Sequence, residues 1–258
     1  MSGAEWAWIG ACSVGTSHTK SGTECQDRAA CLEVRGKDGR SVLIAVVSDG
    51  AGSAKYSSIG SHLVVRCFAF KAVTYVRDGG IVDNIKEDTI RNWLDEIRDR
   101  ISAAARSKDS VPREFAATMI AAVVSDRIAT IAHIGDGACV LRRRENQEWE
   151  VPSWPAHGEY ASSTYFVTDD PQPNLRFTII DAGISELAIF SDGLERLALD
   201  FSDNRPSEKF FGPMFAPIAV NRAGRNRSLS KALRSFLDSP KITERTDDDK
   251  SLVLARRA

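Results

Sequence analysis

The chain is predicted to fold as one α+β domain built on antiparallel sheets, and three observations carry that reading. Strand-like runs come in blocks separated by pairs of helical stretches, not in strict alternation with single helices. No internal repeat, low-complexity linker or break in composition divides the sequence, so residues 1–258 read as a single unit. At 43% hydrophobic and 27% charged residues, the composition suits a globular protein with a full core and excludes disordered and fibrous classes.

Trp6 to Ser13 and Ala29 to Arg35 are short β-like runs, and Ser41 to Val47 is almost continuously apolar. Lys37-Asp38-Gly39 makes a hairpin turn between the last two. From Ala54 to about Val76 the period becomes helical, through Ile59, Leu63, Val64, Cys67, Phe68 and Ala72, and Asp78-Gly79-Gly80 stops it. A second helix is expected from about Asn84 to Ala105, with Ile90, Trp93, Leu94, Ile97 and Ile101 on one face. Ala116 to Arg143 reads as an antiparallel meander broken at Ser125-Asp126 and at Gly135-Asp136-Gly137, with a short strand at Glu148 to Val151. Pro152 to Asn174 holds four prolines and little periodicity, which marks a long irregular, flap-like loop (about 152–174). Arg176 to Asp181 and Glu186 to Phe190 then look like a strand pair. Helices follow at about Ser207 to Val220 and Ser228 to Asp238, with a last strand from Ser251 to Ala255.

Lys plus Arg number 34 against 35 Asp plus Glu, a formal charge of -1, which argues against a dedicated nucleic-acid or anionic-membrane binder. Unbroken apolar runs such as Phe115 to Val124 fall short of the roughly 20 residues that cross a bilayer. The first residues lack a basic segment followed by an apolar one, so a cytoplasmic location is the expectation. The cysteines Cys12, Cys25, Cys31, Cys67 and Cys139 form no C-x-x-C pair and suit neither a disulfide scaffold nor a thiolate zinc site. Cys25 sits in a polar loop, but with no activating neighbour it reads as an inert thiol like the rest.

Three aspartates stand beside glycine at the end of an apolar strand: Asp49, Asp136 and Asp192. Asp-Gly is a common hairpin turn, and that explanation requires a second strand to follow at once. Ala138 to Leu141 meets the requirement for Asp136, which therefore reads as a structural turn. Helical patterns follow Asp49 and Asp192, so their side chains are presented in open loops. Asp247-Asp248-Asp249 leads into the last strand, and Gln26-Asp27 precedes another in the same manner. Carboxylates gathered at one sheet edge would repel each other and take up protons unless cations bound between them. Oxygen ligands suit Mg²⁺ or Mn²⁺, and only four histidines are present, none in an H-x3-H pair, so zinc is disfavoured.

Taken in order, Gly15-Thr16-Ser17-His18, Cys25-Gln26-Asp27, Ser48-Asp49-Gly50-Ala51-Gly52-Ser53, Ile134-Gly135-Asp136-Gly137, Ser191-Asp192-Gly193-Leu194 and Asp248-Asp249-Lys250-Ser251 resemble the metal-dependent protein phosphatase 2C (PPM-type) serine/threonine phosphatase family, in particular a short bacterial branch. The resemblance spans Gly15 to Ala255. It implies a four-layer α-β-β-α sandwich, two antiparallel sheets flanked by helix pairs, with two Mn²⁺ or Mg²⁺ ions at one edge. By matching positions, Asp49 would bridge both ions, the Gly50 carbonyl would bind one, Asp192 and Asp248 would hold the other, and Asp27 would act through a water. Asp136 would fall at a largely structural family position. The implied activity is hydrolysis of phosphoserine and phosphothreonine in proteins by a water that the two cations activate. Asp27, Asp49 and Asp192 would be the catalytic carboxylates, and the partners a phosphorylated protein and a cognate serine/threonine kinase, with the chain a monomer.

The sequence departs from the family at two places. Gly22 and Thr23 stand where many relatives carry a phosphate-binding arginine, leaving Lys20 or His18 as substitutes for substrate binding. Ala51 stands where some relatives carry a histidine acid, and His18 is the candidate for proton transfer. A third ion is left open, with Glu114 near the relevant family segment and surface charge the simpler reading of it. Two alternatives follow: a catalytically weak or inactive binding module of the same fold, and a hydrolase of small phosphorylated metabolites. Arg142-Arg143-Arg144 reads as a solvated strand end.

Overall fold

A computed structural model describes residues 5–156 and 164–258. In chain order the first half contains β1 (Trp6–Ser13), α1 (Thr16–Ser21), β2 (Arg28–Arg35), β3 (Ser41–Ser48), α2 (Ser57–Arg77), α3 (Glu87–Ser107), β4 (Met119–Val124), β5 (Ile128–Ile134), β6 (Ala138–Arg143) and β7 (Trp149–Ser153). The second half contains β8 (Arg176–Asp181), β9 (Ile184–Phe190), α4 (Glu195–Ala198), β10 (Leu199–Asp200), β11 (Arg205–Pro206), α5 (Glu208–Ala219), β12 (Gly224–Arg225), α6 (Arg227–Leu237), α7 (Pro240–Thr243) and β13 (Lys250–Arg257).

The strands form a five-stranded sheet, β2-β3-β4-β5-β8, and a six-stranded sheet, β12-β1-β13-β9-β6-β7, with β10 and β11 as a small separate hairpin. All pairings within the two large sheets are antiparallel except the two-residue edge contact of β12 with β1. β3 explains why a continuous apolar run is a strand here. Leu43, Ala45 and Val47 point into the layer between the sheets, whereas Ile44 and Val46 point into the layer beneath α2 and α3. A strand covered on both faces needs no polar side.

The core therefore has three apolar layers. The middle one joins the two sheets through Trp6, Ile120, Ile131, Leu187, Ile189 and Val253. Phe68, Ala72, Ile90, Trp93 and Ile97 pack α2 and α3 on the outer face of one sheet. Phe211, Phe215, Leu233 and Leu237 pack α5 and α6 on the other. At ~1.5–3 kcal/mol for each large side chain fully buried, these layers are the main favourable contribution to folding. The expected four-layer sandwich is what forms.

Helix α3 begins with Glu87 and Asp88, whose charges favour a helix N-terminus, and Thr89 Oγ1 accepts from Lys86 N at 3.3 Å. Asn226 caps α6, its Oδ1 accepting from Leu229 N at 2.9 Å. Helix α2 is long and apolar enough by composition to cross a bilayer, which a search for unbroken apolar runs passes over. Its residues Val64, Phe68, Ala72 and Val76 lie in the layer shared with α3.

Two expected pairings are corrected. Gly135-Asp136-Gly137 is no hairpin turn, because β5 belongs to one sheet and β6 to the other. The meander ends at β5 and the chain crosses between sheets there, helped by Gly135 at φ 109°, a conformation that favours glycine. Likewise β8 and β9 do not pair with each other: β8 joins β5, and β9 lies between β13 and β6. Of the loop expected over about 152–174, residues 157–163 lie outside the described residues. Its second arm is anchored: Val167 is fully buried and its N–H donates to Ala117 O at 2.9 Å.

Candidate metal centre

Strand register brings the acidic motifs to one edge of the sandwich. Arg28 pairs with Ser48, so Asp27, just before β2, lies beside Asp49, just after β3. Met119 pairs with Ile134, which puts the end of β5, and Asp136 after it, next to the start of β4. In the other sheet Phe190 pairs with both Ala138 and Leu252, so the end of β9 meets the starts of β6 and β13. Asp192 and Asp248 thus arrive at the same edge from different strands.

One carboxylate oxygen each from Asp49, Asp136 and Asp192 lie within 4.8 Å of one another. Asp27 is almost fully buried, and its Oδ2 accepts from Ser191 Oγ at 2.7 Å. Ser191 Oγ in turn accepts from Ser251 N at 2.9 Å, which ties this carboxylate to β13. The Asp49 backbone is clamped on both sides by Thr118: Asp49 N donates to Thr118 Oγ1 at 3.0 Å, and Thr118 N donates to Asp49 O at 2.8 Å.

Asp249 organises the neighbouring segments. Its Oδ1 accepts from Gly15 N at 2.6 Å, its Oδ2 accepts from Gln26 N at 2.5 Å, and His18 Nδ1 stands 3.0 Å from Oδ1. Lys250 is fully buried and donates from Nζ to Asp248 O at 2.9 Å and to Val14 O at 3.4 Å. Gly193 packs so tightly that a Cβ there would lie 2.0 Å from Asp249 O.

The crowded acids perturb one another. Burial raises Asp27 to about 6, with hydrogen bonds to Asp49 and Ser191 opposing the rise. Burial, followed by the charges of Asp27 and Asp192, holds Asp49 well above the usual carboxylate range. Asp192 is raised well above it too, by burial and then by Asp136 and Asp248. Asp248 is raised by burial, against the hydrogen bond it accepts from Asp249 N. Asp192 Oδ1 is buried with no hydrogen-bond partner among the described residues. An orphaned oxygen in a cluster of protonation-prone carboxylates is the environment that a divalent cation relieves, and an all-oxygen donor set fits Mg²⁺ or Mn²⁺.

The centre opens into a cleft of about 1180 Å³ lined by Asp49 to Ala54, Val111 to Glu114, Thr168 to Asp170, Asp136, Asp192, Asp248, His18 and Gln26, among others. Of the residues singled out in the sequence, Asp49, Gly50, Asp192, Asp248 and His18 line it. Asp27 sits beneath it against Asp49. Lys20 is exposed on α1 and does not line the cleft. Glu114 lines it, but its Oε2 accepts from Lys55 N at 2.9 Å and so braces the loop after Asp49. Asp136 is the main revision: the strand after it belongs to the opposite sheet, so the turn carries its carboxylate into the centre. The sequence reading passed over Thr118 and gave Ser191 and Lys250 no role of their own, because those roles come from neighbours far along the chain. The cysteines show no disulfide among the described residues, and burial pushes the Cys25 thiol up, in keeping with an inert group.

Comparison with known proteins agrees with this geometry. A curated relative, serine/threonine-protein phosphatase 3 of Escherichia coli (strain K12), is 34% identical over 254 residues, covering 97% of this chain and 98% of its own. Among solved structures, serine/threonine phosphatase Stp1 from Staphylococcus aureus superposes with a TM-score of 0.64 at 14% identity, covering 100% of this chain and 96% of its own. The catalytic domain of serine threonine protein phosphatase PstP in complex with two manganese ions gives a TM-score of 0.64 at 14% identity, covering 98% and 99%. The profile described as Protein phosphatase 2C matches residues 14–238, which takes in every acidic motif except the one at Asp248, and with it the chain belongs to the protein phosphatase 2C family.

Proposed function

We propose that the chain is a metal-dependent phosphatase that hydrolyses phosphoserine and phosphothreonine in proteins. The observation that carries this reading is the convergence of Asp49, Asp136 and Asp192 from three strand ends within 4.8 Å, at the floor of an open cleft. The curated relative is itself named a serine/threonine-protein phosphatase, and the PstP structure is described with two manganese ions. Asp49, Asp136, Asp192 and Asp248, with the Gly50 carbonyl, would hold the cations. When bound, two divalent cations lower the pKa of a water and offset charge on phosphoryl oxygens.

The chain's own groups supply the rest. Asp27, buried beneath the cleft with Oδ2 held by Ser191 Oγ, would act through a water at the centre. His18 has Nδ1 buried against Asp249, so Nε2 is the nitrogen left to pass a proton to the departing serine or threonine oxygen. At about 1180 Å³ the cleft is larger than the roughly 300–1,000 Å³ of small-molecule pockets, which favours a protein segment over a small phosphorylated metabolite. A phosphoprotein substrate implies a serine/threonine kinase that makes it, and we place both in the cytoplasm with this chain acting as a monomer.

The test is purified protein with Mn²⁺ offered p-nitrophenyl phosphate and a phosphothreonine peptide. Both should be hydrolysed, and Asp192→Asn should abolish turnover and weaken manganese binding. Failure on both substrates, with Asp192→Asn binding manganese like the wild type, would leave the inactive binding module as the better reading.

A further inference from the structure

We propose that Arg113 binds the phosphoryl group of the substrate, in place of the arginine that this chain lacks near its acidic N-terminal motif; the inference rests on the phosphatase reading. The cleft wall is strongly acidic, with Asp49, Glu114, Asp136, Asp169, Asp170, Asp192 and Asp248 all lining it. Cations at the floor would offset the inner carboxylates, yet a phosphate dianion must still pass Glu114, Asp169 and Asp170. Arg113 is the one arginine or lysine among the described residues that line this cleft.

The other basic groups nearby are committed or misplaced. Arg98 donates from Nη1 to Val167 O at 3.1 Å and to Asp169 O at 2.5 Å, and from Nη2 to Asp170 Oδ1 at 2.8 Å. His18 Nδ1 is turned toward Asp249, and Lys20 lies outside the cleft. By contrast, the Arg113 guanidinium makes no hydrogen bond or ion pair among the described residues, although its charge acts on Asp169. A planar fork with unused donors matches phosphate oxygens in a way an ammonium does not.

Its backbone is fixed to the metal centre. Arg113 lies in a 3-10 turn, Pro112–Phe115, which Phe115 anchors by full burial in the core under α2. Tyr56 N donates to Glu114 O at 2.7 Å, Lys55 N donates to Glu114 Oε2 at 2.9 Å, and Ala51 N donates to Ala116 O at 2.9 Å. The turn is thereby stapled at three points to the loop that carries Asp49 and Gly50. An arginine set on that turn keeps a fixed relation to the acids even though its side chain is exposed.

The test is steady-state kinetics of the manganese-loaded protein, comparing Arg113→Ala and Arg113→Lys with wild type and with Arg91→Ala, an exposed arginine of α3 paired with Glu87. Arg113→Ala should raise KM about tenfold for p-nitrophenyl phosphate and for the phosphothreonine peptide alike, with a smaller change in kcat. The inhibition constant of inorganic phosphate should rise by the same factor, Arg113→Lys should recover part of the loss, and Arg91→Ala should behave as wild type. Unchanged KM, or a KM raised for the peptide but not for p-nitrophenyl phosphate, overturns the assignment, as does a fall in kcat alone accompanied by a lowered melting temperature. Binding of inorganic phosphate to the manganese-loaded protein reads the same contact without turnover. If the wild type is inactive but binds phosphate through Arg113, the phosphatase reading fails and the phosphate contact alone survives.

Discussion

At the scale of single residues, the acidic edge is assembled from side chains that differ sharply in what their immediate neighbours do. Asp249 accepts hydrogen bonds from Gly15 N and Gln26 N, whereas Asp49 and Asp192 face other carboxylates and are pushed toward protonation. Asp136 offers a carboxylate oxygen within 4.8 Å of both of them, so Asp136→Asn should weaken manganese binding by about tenfold or more while leaving the fold intact, since it removes one charge from the set. Calorimetric titration with Mn²⁺ measures it, and wild-type affinity would return Asp136 to a purely structural turn. His18→Gln should slow phosphothreonine peptide hydrolysis by roughly 10² to 10⁴ and p-nitrophenyl phosphate hydrolysis far less, because nitrophenolate departs without a proton. Asp49 and Asp192 were legible in the sequence because no strand followed them. Asp136 was not, because a real strand does follow and nothing local says which sheet it joins. The sequence offered Lys20 and His18 as phosphate contacts and passed over Arg113, because only tertiary structure brings its turn to the cleft.

At the scale of elements, the centre depends on β13 and the loop after β9 meeting at fixed distance. Gly193 lies against the Asp249 carbonyl with no room for a methyl group, so Gly193→Ala must push the two segments apart. A loss of ~1–3 kcal/mol in urea denaturation, together with weaker manganese binding, is the expected result, and a variant equal to wild type in both would show that the packing there is slack. Elements with their own periodicity, such as α3 with its apolar face and β3 with its unbroken apolar run, were readable within a few residues. The short α1, the β10-β11 hairpin and the partition of β5, β6, β8 and β9 between sheets were not. Two-residue strands carry no period, and adjacency in sequence does not encode the layer a strand enters.

At the scale of the whole molecule, a formal charge of -1 conceals a concentrated acidic edge. The metal-free fold should therefore be strained by its own charge. Asp27 titrates near 6 when folded against an ordinary 3.8, so across that interval the native state holds a proton that the unfolded chain has lost. Stability of the metal-free protein should fall as pH rises through that window, with the full penalty present above it. Manganese should raise the melting temperature more at about pH 8 than at about pH 5, where protons compete for the same oxygens; equal shifts would mean that the cluster is not where the metal binds. The central claim is that this edge is a metal-dependent phosphoprotein phosphatase, and the most direct measurement is phosphate release from a phosphothreonine peptide during titration with Mn²⁺, for wild type and Asp49→Ala. The account predicts release that appears with manganese, saturates near two equivalents and vanishes in Asp49→Ala. No release at saturating manganese, or equal release by Asp49→Ala, would contradict it.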